Sequence, residues 1–151
     1  MGLFLSTTIN RIDRKGRVSV PGPFRTALSD QLYAGLVILK SPIHDALEGF
    51  PYAMMDDIAA RLDDYALFSG DQDDLAAAIL AEAVPVTFDG EGRIVIPSGL
   101  LEYAGIEDEA AFVGMGRKFQ IWAPEKWATR SGNAKKTVRE RGLNLPKGGA
   151  S

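Results

Sequence analysis

An arginine at the exit of a tight turn is equipped for recognition, and this chain has two of them in matching surroundings. Arg17 closes the run Asp13-Arg14-Lys15-Gly16-Arg17, and Arg93 closes Asp89-Gly90-Glu91-Gly92-Arg93. The second run lies 76 positions (89 − 13) after the first, and the match continues past the arginine. Val18-Ser19-Val20-Pro21 is answered by Ile94-Val95-Ile96-Pro97, with the apolar residues in the same phase. A guanidinium is a planar fork of donors that fits guanine O6/N7 or a phosphate in bidentate fashion. The bland alternative is a cross-strand ion pair beside a turn-capping Asp, worth only about 0.2–1 kcal/mol when exposed. Turn geometry alone would accept Lys, Thr or Gln where both copies keep Arg, so DNA contact is the favoured role of Arg17, and Arg93 is read as making either a single DNA contact or a subunit contact. Asp13 and Asp89 are then orienters of turn and arginine, since phosphate repels a carboxylate.

The two copies differ in charge. Arg11, Arg14, Lys15 and Arg25 gather around the first turn, whereas the second has Arg93 against Asp89 and Glu91. Phosphate attraction is therefore expected mainly from the first copy. With few contacts per chain, single-chain binding should be weak and salt-dependent. Several chains meeting repeated sites would gain through effective concentration.

Elements that could position these residues follow from the pattern. Thr7 to Ile12 reads as a strand anchored by Ile9 and Ile12. Asp13 to Gly16 reads as a type I turn that closes a hairpin through a glycine bulge at Gly16. Arg17 to Val20 alternates, sending Val18 and Val20 inward. Pro21, Gly22 and Pro23 end the strand, and Phe24 to Leu28 makes a short helical turn with Phe24, Ala27 and Leu28 inward. Leu36 to Leu39 has the unbroken apolar character of a strand buried on both faces, and Leu47 to Phe50 is a further strand. Met55, Ile58, Leu62 and Tyr65 then fall at helical spacing. After a break at Ser69-Gly70-Asp71, a second helix opens on Asp71, Asp73 and Asp74, with Leu75, Ile79 and Ala83 as its apolar side.

The second copy repeats the scheme. Val84 to Phe88 is a strand, Asp89 to Gly92 a turn with Gly92 at the bulge position, and Arg93 to Ile96 the returning strand. Ser98 is a candidate N-cap for a short helix lined by Leu100, Leu101 and Ala104 and stopped by Gly105. Ala111 to Gly114 and Phe119 to Trp122 are strands, the latter alternating Phe119/Ile121 against Lys118/Gln120. Pro124 opens a last helix carrying Trp127. From about Arg130 the chain becomes polar and basic, and a mobile tail is expected. These readings divide the chain into a first repeat at 3–52, a helical connector at 53–83, a second repeat at 84–128 and a tail at 129–151. A copy of this size cannot bury enough surface alone. The two should interlock into one barrel-like core about a pseudo-twofold axis.

Composition narrows the function classes. With 46% hydrophobic and 25% charged residues, the chain has an ordinary globular composition. The absence of cysteine excludes thiolate zinc fingers, disulfide scaffolds and thiol nucleophiles. With one histidine, His44, a zinc-type catalytic centre lacks ligands. The paired acids Asp56/Asp57 and Asp63/Asp64 lie on the polar face of a helix, and Gly90-Glu91-Gly92 lacks the setting of a phosphate loop. No cofactor, metal or small-molecule substrate is expected, and an enzyme is not the reading. The opening residues lack a basic leader, and no run approaches the roughly 18 apolar residues of a membrane span, so a cytoplasmic protein is expected. The net charge of −3 conceals segregation: residues 1–40 carry six Lys/Arg against two acids, residues 41–82 one Arg against ten acids, and residues 117–151 nine Lys/Arg against two acids.

With these features together, the chain resembles the MraZ family of bacterial transcriptional regulators associated with the division and cell-wall gene cluster. The resemblance is carried by Ile12 to Pro21 with Phe24-Arg25, by Asp89 to Pro97, and by Lys118 to Trp122 with Trp127. It implies an α+β fold of two interlocked AbrB-like swapped-hairpin units, a pseudo-twofold double-split β-barrel with the acidic helical connector between them. It further implies a nucleoid-associated, ring-shaped homo-oligomer that binds repeated promoter boxes in double-stranded DNA through Asp13, Arg17, Asp89 and Arg93. Some relatives carry basic residues where this chain has Gln72-Asp73-Asp74, and an arginine where it has Leu101. DNA contacts are therefore not assigned to those regions. The alternative is a binding module without DNA, either a ring-forming protein-interaction scaffold or an antitoxin-type AbrB-like module. The basic tail (Lys135, Lys136, Arg139, Arg141, Lys147) has three readings: non-specific attraction to DNA, solubility, or contact with a neighbour's acidic connector.

Overall fold

The computed structural model describes residues 2–148. Met1 and residues 149–151, which include Gly149 of the expected mobile tail, lie outside the described residues. The architecture is α+β, with strands β1 (Thr7–Arg11), β2 (Arg17–Ser19), β3 (Gly35–Lys40), β4 (Leu47–Phe50), β5 (Val84–Thr87), β6 (Arg93–Val95), β7 (Glu109–Gly114) and β8 (Phe119–Trp122). The helices are α1 (Gly22–Leu28), α2 (Tyr52–Leu62), α3 (Gly70–Ala78), α4 (Ser98–Ala104) and α5 (Pro124–Arg141).

Six strands form one sheet in the order β1-β7-β8-β4-β3-β5, and β2 and β6 form a separate two-stranded ribbon. Among the described residues these strands pair antiparallel. Exchanging β1 with β5, β2 with β6, β3 with β7 and β4 with β8 leaves the sheet order unchanged when read from its other edge. The copies therefore share strands: β1 of the first pairs with β7 of the second, and β5 of the second with β3 of the first.

This corrects the expected local hairpin. Between β1 and β2 only the single bridge Ile12↔Val18 remains, and β2 pairs instead with β6. The register sets Val18 opposite Ile94, its counterpart 76 positions on, with Arg17 opposite Val95 and Ser19 opposite Arg93. Chain exchange explains the result. The turn lifts β2 away from β1, and its free backbone groups are met by the equivalent strand of the other copy.

One continuous core lies between the ribbon with α1 and α4 and one face of the large sheet. Val18, Val20, Ile94 and Ile96 pack there with Phe24, Leu36, Ile38, Phe112, Phe119 and Ile121. Phe119 meets the rings of Phe4, Phe24 and Phe112 at centroid distances of 5.0, 5.1 and 6.2 Å. The expected inward faces of α1 and α4 appear as Phe24, Ala27 and Leu28, and as Leu100 and Ala104. Gly105 ends α4 in the left-handed conformation at φ 66°.

The other face of the sheet is also covered, which single-strand alternation did not show. Ala46, Ala111, Val113 and Trp122 cluster there against Trp127 of α5. Gln120, read as polar and outward, is buried, as is Glu48 opposite it. The Glu48 carboxylate accepts from Lys118 Nζ at 2.7 Å and Gln120 Nε2 at 3.1 Å, and Gln120 Oε1 accepts from Trp122 Nε1 at 2.9 Å. Satisfied in this way, the group tolerates burial.

Other expectations change too. Ile9 is 51% exposed, because β1 is an edge strand and only Ile12 turns inward. Ser98 lies inside α4 behind Pro97 and makes no capping bond. In the connector, α3 ends at Ala78, short of Ala83, and buries none of its residues, and Tyr65 lies beyond the end of α2. Ser69 caps α3 by accepting from the Gln72 amide at 3.3 Å. The last helix does not stop near Arg130. It continues to Arg141, where Gly142 ends it at φ 59°. Gly132 within it costs on the order of 1 kcal/mol, which the stronger helix formers Ala134, Lys135, Lys136, Arg139, Glu140 and Arg141 offset.

Phe119→Ala should lower the unfolding free energy by about 3–5 kcal/mol, as for other buried aromatic truncations. Val95→Ala, on the exposed face of the ribbon, should change it by no more than about 0.5 kcal/mol. Denaturant midpoints of the two variants check this pair.

Candidate nucleic-acid interface

Each turn is built by one aspartate that serves three donors. In the first, Asp13 Oδ1 accepts from the amides of Lys15 and Arg17, both at 2.9 Å, and Oδ2 accepts from Arg17 Nε at 2.6 Å. In the second, Asp89 Oδ1 accepts from Glu91 at 2.8 Å and Arg93 at 3.0 Å, and Oδ2 accepts from Arg93 Nε at 2.8 Å. The main chain closes alike, with Gly16 N donating to Asp13 O at 3.0 Å and Gly92 N to Asp89 O at 3.1 Å. Gly16 and Gly92 have φ of 82° and 77°, the left-handed conformation the bulge requires. A Cβ on Gly16 would also stand 2.5 Å from the Ile96 carbonyl oxygen.

These bonds tune the carboxyls. The Arg17 backbone amide leads in holding Asp13 below the usual 3.8, against the opposing effect of desolvation, and the Arg93 amide does the same for Asp89. The Arg93 guanidinium is held above its usual value, first by its Nε bond to Asp89, with smaller contributions from Glu91 and from Asp13 of the other copy.

The ribbon brings them together. Val18 and Ile94 point into the core, so Arg17, Ser19, Arg93 and Val95 lie on its outward face. Arg17 and Arg93 are diagonal neighbours across the two strands, a relation that places Cβ atoms about 7–8 Å apart. Both line a shallow cleft of about 430 Å³ with Arg11, Asp13, Ser19 and Asp108. Each arginine spends Nε on its aspartate and keeps its terminal nitrogens turned to other partners. Arg93 Nη2 stands 3.7 Å from Glu91 Oε1, whereas among the described residues no partner within bonding distance engages the Arg17 terminal nitrogens.

Arg14 and Lys15 are exposed at the tip of the first turn, and Arg11 is exposed on edge strand β1. Arg25 requires a correction. It does not reinforce the first turn: its Nε donates to Val20 O at 3.1 Å, and its guanidinium lies against Gly92 of the second turn. Strand exchange is the reason, because α1 follows β2 to the end of the ribbon where the second turn begins. Val20 N donates to Gly92 O at 3.2 Å, and Ile96 N donates to Gly16 O at 2.9 Å in the mirrored contact. Residues missed by sequence reasoning include Asn10, whose Nδ2 donates to Ser19 O at 2.8 Å, and Asp108, whose carbonyl accepts from Ile12 N at 2.9 Å. Neither had a local signal; only the register of the strands reveals them. Among the described residues no group of acids and histidine could hold a metal ion, and no helix is long and apolar enough to cross a membrane.

A protein-family model described as "MraZ protein, putative antitoxin-like" matches residues 79–141. Over 142 residues the chain is 46% identical to the transcriptional regulator MraZ of Gluconobacter oxydans, covering 92% of this chain and 87% of that protein. The chain belongs to the MraZ family. The transcriptional regulator MraZ of Gluconacetobacter diazotrophicus is 47% identical over 150 residues, with 97% and 93% of the two chains covered. That of Rickettsia felis is 35% identical over 145 residues, with 96% and 97% covered. The family match extends through α5 to Arg141, so the last helix belongs to the family's shared region.

Because Asp13 and Asp89 ionise more readily in the folded chain than the usual 3.8, their contribution to stability is present above that value. It is lost as pH falls through the lowered folded-state values. Comparing the wild-type chain with Asp13→Asn/Asp89→Asn, the difference in denaturation midpoint should be largest near neutral pH and close below 3.8. A difference independent of pH would show that the carboxylate charge is not what holds the turns.

Proposed function

We propose that this chain is a sequence-specific DNA-binding transcriptional regulator of the division and cell-wall gene cluster. On this reading it acts as a ring oligomer on repeated promoter boxes, through its Asp-x-x-x-Arg turns. The observation that carries the reading is the ribbon: two arginines from the two copies, each braced at Nε by its own aspartate, on one outward face. A two-stranded ribbon is narrow enough to enter the major groove, and bidentate Arg to guanine O6/N7 is the commonest specific contact there. Bracing at Nε orients the fork in advance, so less conformational freedom is lost on binding. The curated relatives named transcriptional regulators supply the functional class.

The remaining basic residues take positioning roles. Arg14 and Lys15 flank the groove as phosphate anchors, Arg11 extends the positive edge along the cleft, and Arg25 supplies the charge that the second turn lacks in its own sequence. Gly16 and Gly92 let the backbone turn closely enough for the tips to approach DNA, while Asp13 and Asp89 orient. The exchange of strands between copies supports the swapped-hairpin, double-split barrel, with repeats at 3–52 and 84–128 joined through 53–83. A cytoplasmic, nucleoid-associated protein without cofactor or small-molecule substrate completes the proposal. A second reading, an antitoxin-type module that does not read DNA, is favoured by the family model's description.

Titrating a promoter fragment with repeated boxes against salt separates these readings. Arg17→Ala should abolish preference for the boxes, and Glu91→Ala, which releases Arg93, should leave binding unchanged or tighten it. Lys15→Ala should weaken binding to all sequences alike and reduce the salt slope by about 1. Binding with neither box preference nor salt dependence would falsify the regulator reading.

A further inference from the structure

Two parts of the chain carry opposite charge and hold apolar residues out to solvent. The connector from Tyr52 to Ala83 holds eight acids against Arg61. At its elbow Leu67 and Phe68 are 80% and 95% exposed, and α3 has no buried residue. The last part of the chain is its complement. Residues 130–147 hold six Lys/Arg against Glu140, and every described residue beyond Ala134 is exposed, Val138, Leu143 and Leu145 among them. Isolated helices shorter than roughly 12–15 residues are marginal in water. At nine residues α3 falls in that range and buries none of its residues, and the projecting end of α5 leaves Val138 half exposed.

The two do not satisfy each other within the chain. Among the described residues these segments form the ion pairs Lys40–Glu82 and Lys136–Glu140, and none joins connector to α5. Their location matters as well. Trp127 of α5 packs on the sheet face of Ala111, Val113 and Trp122, while the ribbon packs on the face of Phe112, Phe119 and Ile121. The connector's α2 packs on β3, whose buried Val37 and Leu39 alternate away from Leu36 and Ile38. Trp127 thus anchors α5 on the side of the sheet opposite the arginine ribbon.

We propose that the projecting half of α5 docks on the acidic α2–α3 elbow of a second copy of this chain, with Phe68 meeting Val138 at the centre of the contact. Apolar residues ringed by opposite charges fit a protein surface better than a phosphate backbone, which needs cations alone. Because the two patches are different surfaces, the contact is heterologous, and repeating it around a closing rotation generates a ring. The ribbon stays uncovered. This inference rests on the ring-oligomer part of the proposed function and names its joint.

Charge reversal in the full chain tests the joint. One variant carries Lys135→Glu and Arg139→Glu, the other Asp63→Lys and Asp64→Lys, all at exposed positions. Each alone should fall by light scattering to the mass of a single chain with an unchanged circular dichroism spectrum. An equimolar mixture should reassemble, because each variant then complements the other. The chain has no cysteine, so oxidising a Phe68→Cys/Val138→Cys chain should give a ladder of covalent multimers even if the reversals disturb folding. Either reversal variant assembling like the wild type would overturn the proposal. So would an oligomeric cysteine variant that forms no ladder, or a wild-type monomer. If the α5 reversal leaves assembly intact but lowers affinity for DNA, that helix faces DNA and the proposal is likewise overturned. Loss of box preference through Arg17→Ala with assembly intact bears on the reading of DNA and leaves the joint untouched.

Discussion

The pairing of Val18 with Ile94 is the contact on which the remaining architecture depends. Strand β2 leaves its turn with a row of backbone donors and acceptors that its parent strand meets at the single bridge Ile12↔Val18. Polar backbone groups beside a core must be paired, and the only strand of matching length and register is the equivalent one from the other copy. From that constraint the separate ribbon, the exchange of β1 and β5 between copies and the single shared core all follow. Neither copy has a complete set of partners without the other.

The same pairing determines how the two arginines are presented. Setting Val18 against Ile94 puts Arg17 and Arg93 diagonally on the outward face, each braced by the aspartate four positions earlier. Near symmetry of the backbone then coexists with asymmetry of charge. Arg14 and Lys15 stand where the second turn has Gly90 and Glu91. Arg25 crosses to the second turn, while its counterpart 76 positions on is Leu101, a residue packed against the core. One basic side chain thus moves between copies by strand exchange, and the positive charge spreads along the ribbon more evenly than the two turn sequences suggest.

The large sheet separates two tasks. Its inner face carries the apolar layer that seats the ribbon, and its outer face carries Trp122, the Glu48–Gln120–Lys118 group and Trp127 of α5. Glu48 sits opposite Gln120 at the middle of the sheet, where β4 and β8 meet. A carboxylate there is tolerated because an ammonium and an amide both donate to it. Such a group contributes more to the choice of register than to stability, since a slip by one residue would bury it without donors.

Much of this was legible in the amino-acid sequence. The two turns, the inward faces of α1 and α4, the doubly buried β3 and the left-handed stop at Gly105 were all readable, because each rests on local rules: alternation, glycine conformation, proline position. The duplication also showed that two copies must combine. What local rules could not supply was which strand pairs with which, because a hairpin and an exchanged strand have the same alternation. Hence the solvent exposure of Ile9, the burial of Gln120, the continuation of α5 past Gly132 and the transfer of Arg25 to the second turn were decided by the tertiary structure. The chain by itself determined the chemistry of the two turns, an arginine four positions after an aspartate at a fixed repeat. Only folding decided that they share one face, because that face is made of strands whose hydrogen-bond partners lie in the other half of the sequence.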